Sequence, residues 1–342
     1  MTRITWALLL VLGAGLLVGG APADAATYRW VDENGVVTYS DRPPQPRAAP
    51  PAPDTPAADT PAPDAAAPGV VAGERAAVDA LLDISGLKRQ LAAITTRIRN
   101  EFHQQHGQLT AQDFAQAEQI AARHVRTESV YGLIAAGVGK RADATKLEAA
   151  LAWYRSPLGR RITEIEVAFS VSRSVERELE RYVGRLQARP PERERVALVA
   201  RLDAAGRATE TSLDVSMAII RSLASAVDPY LPAERRLGPS QLESRIREVR
   251  AQAFEQVRRV SLVMMLFLYR DVPDADLARY VRFAESEAGQ WYVSAVSRAF
   301  VDAVGAVARG AATDLVKAVP PKRWQQQGGG FKKPALPRET AL

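Results

Sequence analysis

Apolar residues recur every three or four positions through most of the chain from Glu74 onward. The first stripe of this kind consists of Ile84, Leu87, Leu91, Ile94, Ile98 and Phe102. Such spacing places apolar side chains on one face of an α-helix, and that face has to pack against another element. The pattern continues to about Lys317 and stops at Pro320. The sequence therefore predicts a mainly α protein whose helices form a bundle.

Capping residues predict where some of these helices begin. Thr110 with Asp113, and Ser240 with Glu243, have the spacing of capping boxes, in which a hydroxyl accepts from a backbone N–H three residues on. The segment from Val196 to Ile220 carries apolar residues at helical spacing throughout, so it is predicted as one long helix.

The run Val260–Leu268 is apolar on every side except at Ser261. A membrane span is one interpretation, but the run is too short to cross a bilayer and is flanked by Arg259 and Arg270. A helix that is apolar all round is typical of the centre of a bundle, and that is the prediction here.

A short stretch occurs twice, at residues 153–159 and 283–289. Each copy has an aromatic residue, a serine three positions later and a glycine three positions after the serine. Serine suits the N-cap of a helix, and proline suits its first position. The stretch therefore predicts a sharp turn between two helices. A joint where helices pack is the favoured interpretation, and a binding corner is the alternative. The signature residues are Trp153, Ser156, Pro157, Gly159, Phe283, Ser286 and Gly289.

The first copy resembles the signature of the domain of unknown function 2059, an all-helical exported domain of bacteria. That family has an aromatic residue followed by Ser-Pro-x-Gly between two helices, and the second copy has Glu287 where proline is expected. The resemblance implies two related helical halves, residues 74–189 and 190–319, and it carries no activity.

The segment 26–44 contains two short runs of β-forming residues, Tyr28–Val31 and Val36–Tyr39, with a turn signal at Gly35 between them. This pattern predicts a β-hairpin module. The tract also resembles the domain of unknown function 4124, a short module of Gram-negative envelope proteins, which implies an envelope location and no defined activity. The residues that carry the resemblance include Tyr28, Trp30, Asp32, Gly35, Tyr39 and Asp41.

Three further segments are predicted to lie outside the folded bundle. Residues 1–25 have the features of a signal peptide: Arg3, an apolar core and a small-residue site that predicts cleavage after Ala25. Residues 45–73 are rich in proline and alanine and predict a disordered linker. The tail 320–342 is basic and predicted to be disordered, and contact with an anionic surface is an alternative role for it.

Composition limits the chemistry available to the 342 residues. The chain has no cysteine, which excludes thiol catalysis and thiolate metal sites. It has three histidines, His103, His106 and His124, which could in principle bind zinc but lie in polar surroundings typical of solvated side chains. No nucleophile elbow, zinc-protease motif or Gly-rich phosphate loop is present. The sequence therefore predicts no metal and no cofactor.

The charged residues give no catalytic motif either. Glu164 with Glu166, and Glu285 with Glu287, are two positions apart and point to different sides of a helix, so each is interpreted as a solvated acid. A basic set at 245–259 could meet an anionic partner, but its mixture with acids argues against nucleic acid.

These observations predict a periplasmic or secreted, non-catalytic helical protein. The leading hypothesis is an interaction or scaffold protein that binds an envelope protein or a cell-wall or lipid component. A second hypothesis is a carrier that encloses an apolar ligand such as a lipid, which requires an apolar cavity between the halves. A third is a hydrolase with an unfamiliar site, which requires polar side chains that converge in a cleft.

Overall fold

The computed structural model describes residues 28–31, 37–40, 68–104, 110–172 and 174–319. The predicted signal peptide, most of the predicted linker and the basic tail lie outside these ranges, as do Asp32, Gly35 and Asp41. The described part of the chain is mainly α, as the apolar spacing predicted.

The helices, in chain order, are α1 (Pro68–Ile84), α2 (Leu87–Gln104), α3 (Ala111–His124), α4 (Thr127–Gly139), α5 (Ala144–Arg155), α6 (Pro157–Val171), α7 (Val175–Ala188), α8 (Arg193–Gly206), α9 (Ala208–Val227), α10 (Pro239–Leu268), α11 (Asp274–Glu285) and α12 (Glu287–Ala318). Two short 3-10 turns, Asp228–Tyr230 and Ala233–Arg235, connect α9 to α10. Helix α1 begins at Pro68, so residues 68–73 belong to a helix rather than to the predicted linker.

Two short strands precede the helical unit. Strands β1 (Tyr28–Val31) and β2 (Val37–Ser40) pair antiparallel, with Tyr28 opposite Ser40 and Val31 opposite Val37. The second strand is one residue further along the chain than the β-forming run Val36–Tyr39 indicated. These strands belong to a compact unit separate from the helices.

Local capping explains several helix starts. Thr110 is the N-cap of α3, and its hydroxyl accepts from the Asp113 N–H at 3.1 Å, which confirms the predicted cap. The capping box predicted at Ser240 is wrong. Helix α10 begins at Pro239, the N-cap is Gly238, and the Gln241 side chain accepts from the Gly238 N–H at 3.2 Å. Proline is favoured at the first helical position because it has no N–H to leave unbonded. The helix therefore begins at Pro239, earlier in the chain than the predicted cap at Ser240.

The predicted long helix from Val196 to Ile220 is broken in the structure. Arg207 separates α8 from α9 and has φ 52°, which is the left-handed region. Beside the break, the buried Asp203 accepts from the Thr209 N–H at 3.2 Å and from its hydroxyl at 2.8 Å. A carboxylate that satisfies the free N–H groups at a helix start favours a new helix over continuation of the old one.

Two large clusters of buried side chains hold the helical unit together. One joins α1, α2, α4 and α5 to α12 and includes Leu81, Ile134 and Phe300. The other joins α6 and α7 to α8, α10 and α11 and includes Ile162 and Phe267. Each cluster combines helices from before and after residue 190, so neither predicted half has an interior of its own.

The apolar end of α10 lies in the second cluster. Met264–Leu268 are all buried, and they pack beside Phe169 and Tyr182, whose rings are 5.9 and 5.4 Å from that of Phe267. Among the described residues, no helix has the length and apolar character that crossing a membrane requires. The prediction of a buried helix segment is confirmed for Ser261 and for Met264–Leu268, whereas Val260, Leu262 and Val263 are half-buried.

Candidate functional site

The two Ser–Gly stretches form equivalent corners. Ser156 ends α5 and caps α6, and its hydroxyl accepts from the Gly159 N–H at 3.0 Å. Ser286 ends α11 and caps α12, and its hydroxyl accepts from the Gly289 N–H at 3.2 Å. The predicted N-cap role of both serines is confirmed. The Ser286 hydroxyl also donates to the Phe283 carbonyl at 2.7 Å, so its own corner uses it both as donor and as acceptor.

The glycines of these corners are required by contact with the backbone. A Cβ atom at Gly159 would lie 2.1 Å from the carbonyl oxygen of Trp153, and one at Gly289 would lie 2.0 Å from that of Phe283. No side chain fits at such distances, because the nearest atoms belong to a helix end that cannot move independently. The absence of a Cβ lets the second helix of each corner leave directly over the end of the first.

Stacked aromatic rings join the two corners to each other. The rings of Trp153 and Phe283 are 4.5 Å apart and nearly parallel, and Tyr154 meets Phe283 edge-on at 5.9 Å. Such pairs contribute about 0.5–1.5 kcal/mol each beyond the area they bury. The corners therefore meet in the interior as a packing joint between helices, which is the interpretation that the sequence favoured.

Glu166 corrects the interpretation of the glutamates as solvated acids. Its side chain is fully buried, and its Oε1 accepts from the hydroxyls of Tyr269 at 2.7 Å and Tyr280 at 3.2 Å. Glu164, by contrast, is exposed and pairs with Arg89 at 2.9 Å. Glu166 lies four residues after Ile162 and three before Phe169, on the apolar face of α6, so that face buries it.

Tyr154 lies close to this buried acid. Burial raises the pKa of Tyr154 well above its usual 10.0, and the charges of Tyr292, Tyr280 and Glu166 raise it further. Neither Glu166 nor these tyrosines line the cavities described below. This cluster therefore acts as a buried polar network that fixes α6 against α10 and α11.

The histidines do not come together. His106 and the side chain of His103 lie outside the described residues. His124 is not a solvated side chain, because its Nε2 lies 2.8 Å from Oδ2 of Asp314 and its ring packs on Gly310 of α12. The hydrogen bond to His124 holds the pKa of Asp314 below its usual 3.8. Within the described ranges, no group of three acidic or histidine side chains is arranged to hold a metal ion.

An apolar cavity of about 280 Å³ lies between α2, α3, α4, α9 and α12. Every lining side chain is aliphatic or aromatic except Thr95. The Thr95 hydroxyl is already used, because it bonds to the Leu91 carbonyl at 2.9 Å and to the Thr127 hydroxyl at 2.7 Å. The lining residues are Leu91, Ile94, Thr95, Ile98, Phe102, Ala117, Ile120, Ala121, Val125, Val130, Ile219, Leu223, Phe300, Val304, Val307, Ala308, Ala311, Ala312 and Leu315.

The cavity is open to solvent on one side. Leu223, one of its lining residues, is 47% exposed, although leucine in a packed interior is usually covered. A void of this size is nearly twice the roughly 150 Å³ cavity that binds benzene. The site can therefore hold a small apolar molecule or part of a chain, and its walls supply no free hydrogen-bonding group.

Comparison with known proteins gives one match. The family model of a domain of unknown function (DUF4124) matches residues 14–68, which confirms the resemblance carried by Tyr28, Trp30 and Tyr39. The resemblance of the helical region to the domain of unknown function 2059 stays a prediction. No curated protein and no solved structure matches the chain.

Proposed function

We propose that this protein is a non-catalytic, exported helical protein of the bacterial envelope that binds the acyl chain of a lipid or fatty acid in its apolar cavity. The single observation that carries the proposal is the cavity itself: an opening of about 280 Å³ between helices whose walls are apolar apart from Thr95. An opening of roughly this size that is lined by hydrophobic side chains is typical of a site for an apolar ligand.

The apolar character of the lining favours a hydrocarbon chain over a polar ligand. Its single polar side chain, Thr95, is bonded within the protein. A polar ligand group placed there would lose its bonds to water and gain none, at a cost of roughly 1–3 kcal/mol. An acyl chain loses nothing in this way, and its head group can remain at the open side near Leu223.

Export is supported by the sequence alone. Arg3, the apolar run that follows it and the small residues before Ala25 have the order of a signal peptide. The family model that matches residues 14–68 describes a domain of unknown function, and the envelope location is what the resemblance of that tract implies.

The acyl-chain proposal is tested by titrating the purified protein with fatty acids of increasing length, from hexanoate to hexadecanoate, by calorimetry. Each methylene that enters an apolar site contributes about 0.8 kcal/mol, so affinity should rise about fourfold per added methylene and then level off when the cavity is full. Ala308→Phe places a ring in the cavity and should weaken binding of dodecanoate at least about tenfold.

Ala306→Phe is the matched control, because Ala306 lies on the same helix but is exposed and does not line the cavity. It should leave binding unchanged. Dodecanoate affinity that is equal in both variants, or that does not depend on chain length, would contradict the proposal.

A second candidate function, as an interaction protein, is favoured by the module at the N-terminal end. Residues 26–44 include a two-stranded antiparallel sheet, and a family model covers the segment. Two strands alone are marginally stable in water, so a docking partner would stabilise them. Deleting residues 26–44 should abolish capture of at least one envelope protein in pull-downs from envelope extract and leave fatty-acid binding unchanged. An identical set of captured proteins would contradict this role.

We also infer that the helical unit consists of two related halves. The support is the equivalence of the corners: each has the same cap, the same glycine contact and an aromatic residue that stacks on that of the other. The matching contacts at Gly159 and Gly289 predict that alanine has a similar cost at the two corners.

A further inference from the structure

A second, chemically different opening lies on another part of the helical unit. Two adjoining cavities, of about 600 and 360 Å³, share Arg141, Arg207 and Arg298 in their linings. We call the two together the basic cleft. The lining of the basic cleft contains seven cationic side chains and four acidic ones, which leaves a net formal charge of +3. Most of it lies on α9, α10 and the first half of α12, and Arg141 follows α4.

Three of the four acids are already neutralised by arginines of the cleft. Glu243 makes two hydrogen bonds to Arg221, at 2.6 and 2.8 Å, which hold the pKa of Glu243 below its usual 4.5. Asp214 pairs with Arg250 at 3.1 Å, and Asp302 pairs with Arg141 at 3.7 Å. The remaining acid is Glu287.

Two of the shared arginines have no such partner. Within the described ranges, no hydrogen bond or ion pair joins the side chain of Arg207 or of Arg298 to another residue, although both face the same opening. Arg141 lines the same opening, where its guanidinium donates to the Gly137 carbonyl at 2.7 Å and lies 3.7 Å from Asp302. Its carbonyl accepts from the Trp291 indole at 2.8 Å, which fixes that ring in the wall of the cleft. Several guanidinium groups around one opening favour an anion between them.

Thr211 supplies an independent indication of a ligand. It lines the cleft from the first turn of α9 and is only 1% exposed, and its hydroxyl has no hydrogen-bond partner among the described residues. A buried hydroxyl without a partner costs about 1–3 kcal/mol, and a ligand that accepts from it would recover part of that cost. A hydroxyl can donate to an anion that the arginines hold.

The backbone at Arg207 is consistent with a role for its side chain. With φ 52° and ψ 32° it is the only non-glycine residue of the described ranges in the left-handed region, where glycine is favoured. An arginine at that position presents its charge to the cleft at a conformational cost that glycine would avoid.

We propose that the basic cleft binds a phosphate ester, with Arg207 and Arg298 paired to the phosphate, Arg141 beside them and the Thr211 hydroxyl as a further donor. A phosphate monoester carries close to two negative charges and several acceptor oxygens, which suits an excess of arginine forks. A total volume well above that of inorganic phosphate leaves room for the rest of the ligand. The phosphate can belong to a soluble ester or to a phospholipid head group.

The experiment is a calorimetric titration of the purified protein with glycerol 3-phosphate, with glycerol as the neutral control. Glycerol 3-phosphate should bind and glycerol should not. Arg207→Gly and Arg298→Gln should each weaken binding about tenfold or more, since a hydrogen bond to a charged group is lost. Thr211→Val, which replaces the hydroxyl by a methyl group, should weaken it roughly fivefold.

Two controls separate loss of the site from loss of the fold. Arg207→Gly should unfold at the same denaturant concentration as the wild-type protein or at a higher one, because glycine suits φ 52°. Arg177→Gln makes the same change of charge on the exposed side of α7, away from the cleft, and should leave binding unchanged.

Sedimentation with vesicles distinguishes the two sources of phosphate. A phospholipid head group is supported if the protein associates with phosphatidylglycerol–phosphatidylcholine vesicles and not with pure phosphatidylcholine vesicles. Arg298→Gln should then abolish that association. Binding of glycerol 3-phosphate alone supports a soluble ester. The assignment would be overturned if the protein bound neither the vesicles nor glycerol 3-phosphate. It would also be overturned if Arg177→Gln weakened binding as much as Arg298→Gln, or if poly-glutamate bound as tightly as glycerol 3-phosphate. Fatty-acid binding in the apolar cavity should be the same in all these variants.

Discussion

Replacing Gly159 or Gly289 by alanine should destabilise the protein by about 3 kcal/mol or more, at the upper end of what overpacking costs. The added Cβ would lie 2.1 or 2.0 Å from a backbone carbonyl oxygen, so the helix that carries it has to move. This movement would also disturb the stack of Trp153 on Phe283, because both rings belong to the corners. Chemical denaturation followed by circular dichroism measures the change in the free energy of unfolding.

Gly132 and Gly184 provide matched controls for this substitution. Both lie inside helices, and a Cβ at either would have no neighbour within 4 Å. Alanine there should stabilise the protein by roughly 0.5–1 kcal/mol, because alanine is a better helix former than glycine. A similar effect at all four positions would show that the corners are not closely packed. A large cost at one corner only would argue against two related halves.

The sequence predicted those parts of the fold that depend on contacts between residues a few positions apart. Ser156 bonds a backbone group three positions away, and Thr110 does the same, so spacing alone identifies both caps. The contact that requires Gly159 also lies within one corner. For Glu166 the signal was present but was interpreted wrongly. Its place between Ile162 and Phe169 on the apolar face of α6 indicates burial.

The break at Arg207 combines a contact within six residues with a contact between distant parts of the chain. Helical spacing continues through residues 196–220, and arginine is a good helix former. What ends α8 there is a carboxylate that bonds to the start of α9 and to a residue of α10 far along the chain. The contact with Ser261 exists only after the helices have packed, and helical spacing that continues past Thr209 conceals the local contact, so the sequence pattern favoured one continuous helix.

The two openings could not be predicted for a related reason. Spacing identifies the face of each helix that is buried, but not whether five such faces fill the space between them. The apolar cavity arises because α2, α3, α4, α9 and α12 leave a gap. The basic cleft likewise combines Arg141, Arg207 and Arg298, which belong to distant parts of the sequence.

Replacing Asp203 by alanine should destabilise the protein by about 3 kcal/mol or more, because three donors lose their acceptor in a buried site. Those donors are the Thr209 N–H, the Thr209 hydroxyl and the Ser261 hydroxyl, the last at 2.6 Å. Thr209 and Ser261 are at most 1% exposed, so water cannot replace the carboxylate. Asp203→Asn, which keeps one acceptor oxygen, should cost about 1 kcal/mol.

Removing the donors as well shows whether the cost of Asp203→Ala comes from lost hydrogen bonds or from the change in a buried side chain. In Thr209→Val combined with Ser261→Ala, two of the three donors are absent, and adding Asp203→Ala to that pair should cost clearly less than it does in the wild-type protein. Asp271→Ala is the control for loss of an aspartate, since its side chain is 86% exposed and its pairing with Arg270 contributes little. If Asp203→Ala costs no more than Asp271→Ala in the same denaturation experiment, then the buried carboxylate does not hold α8, α9 and α10 together.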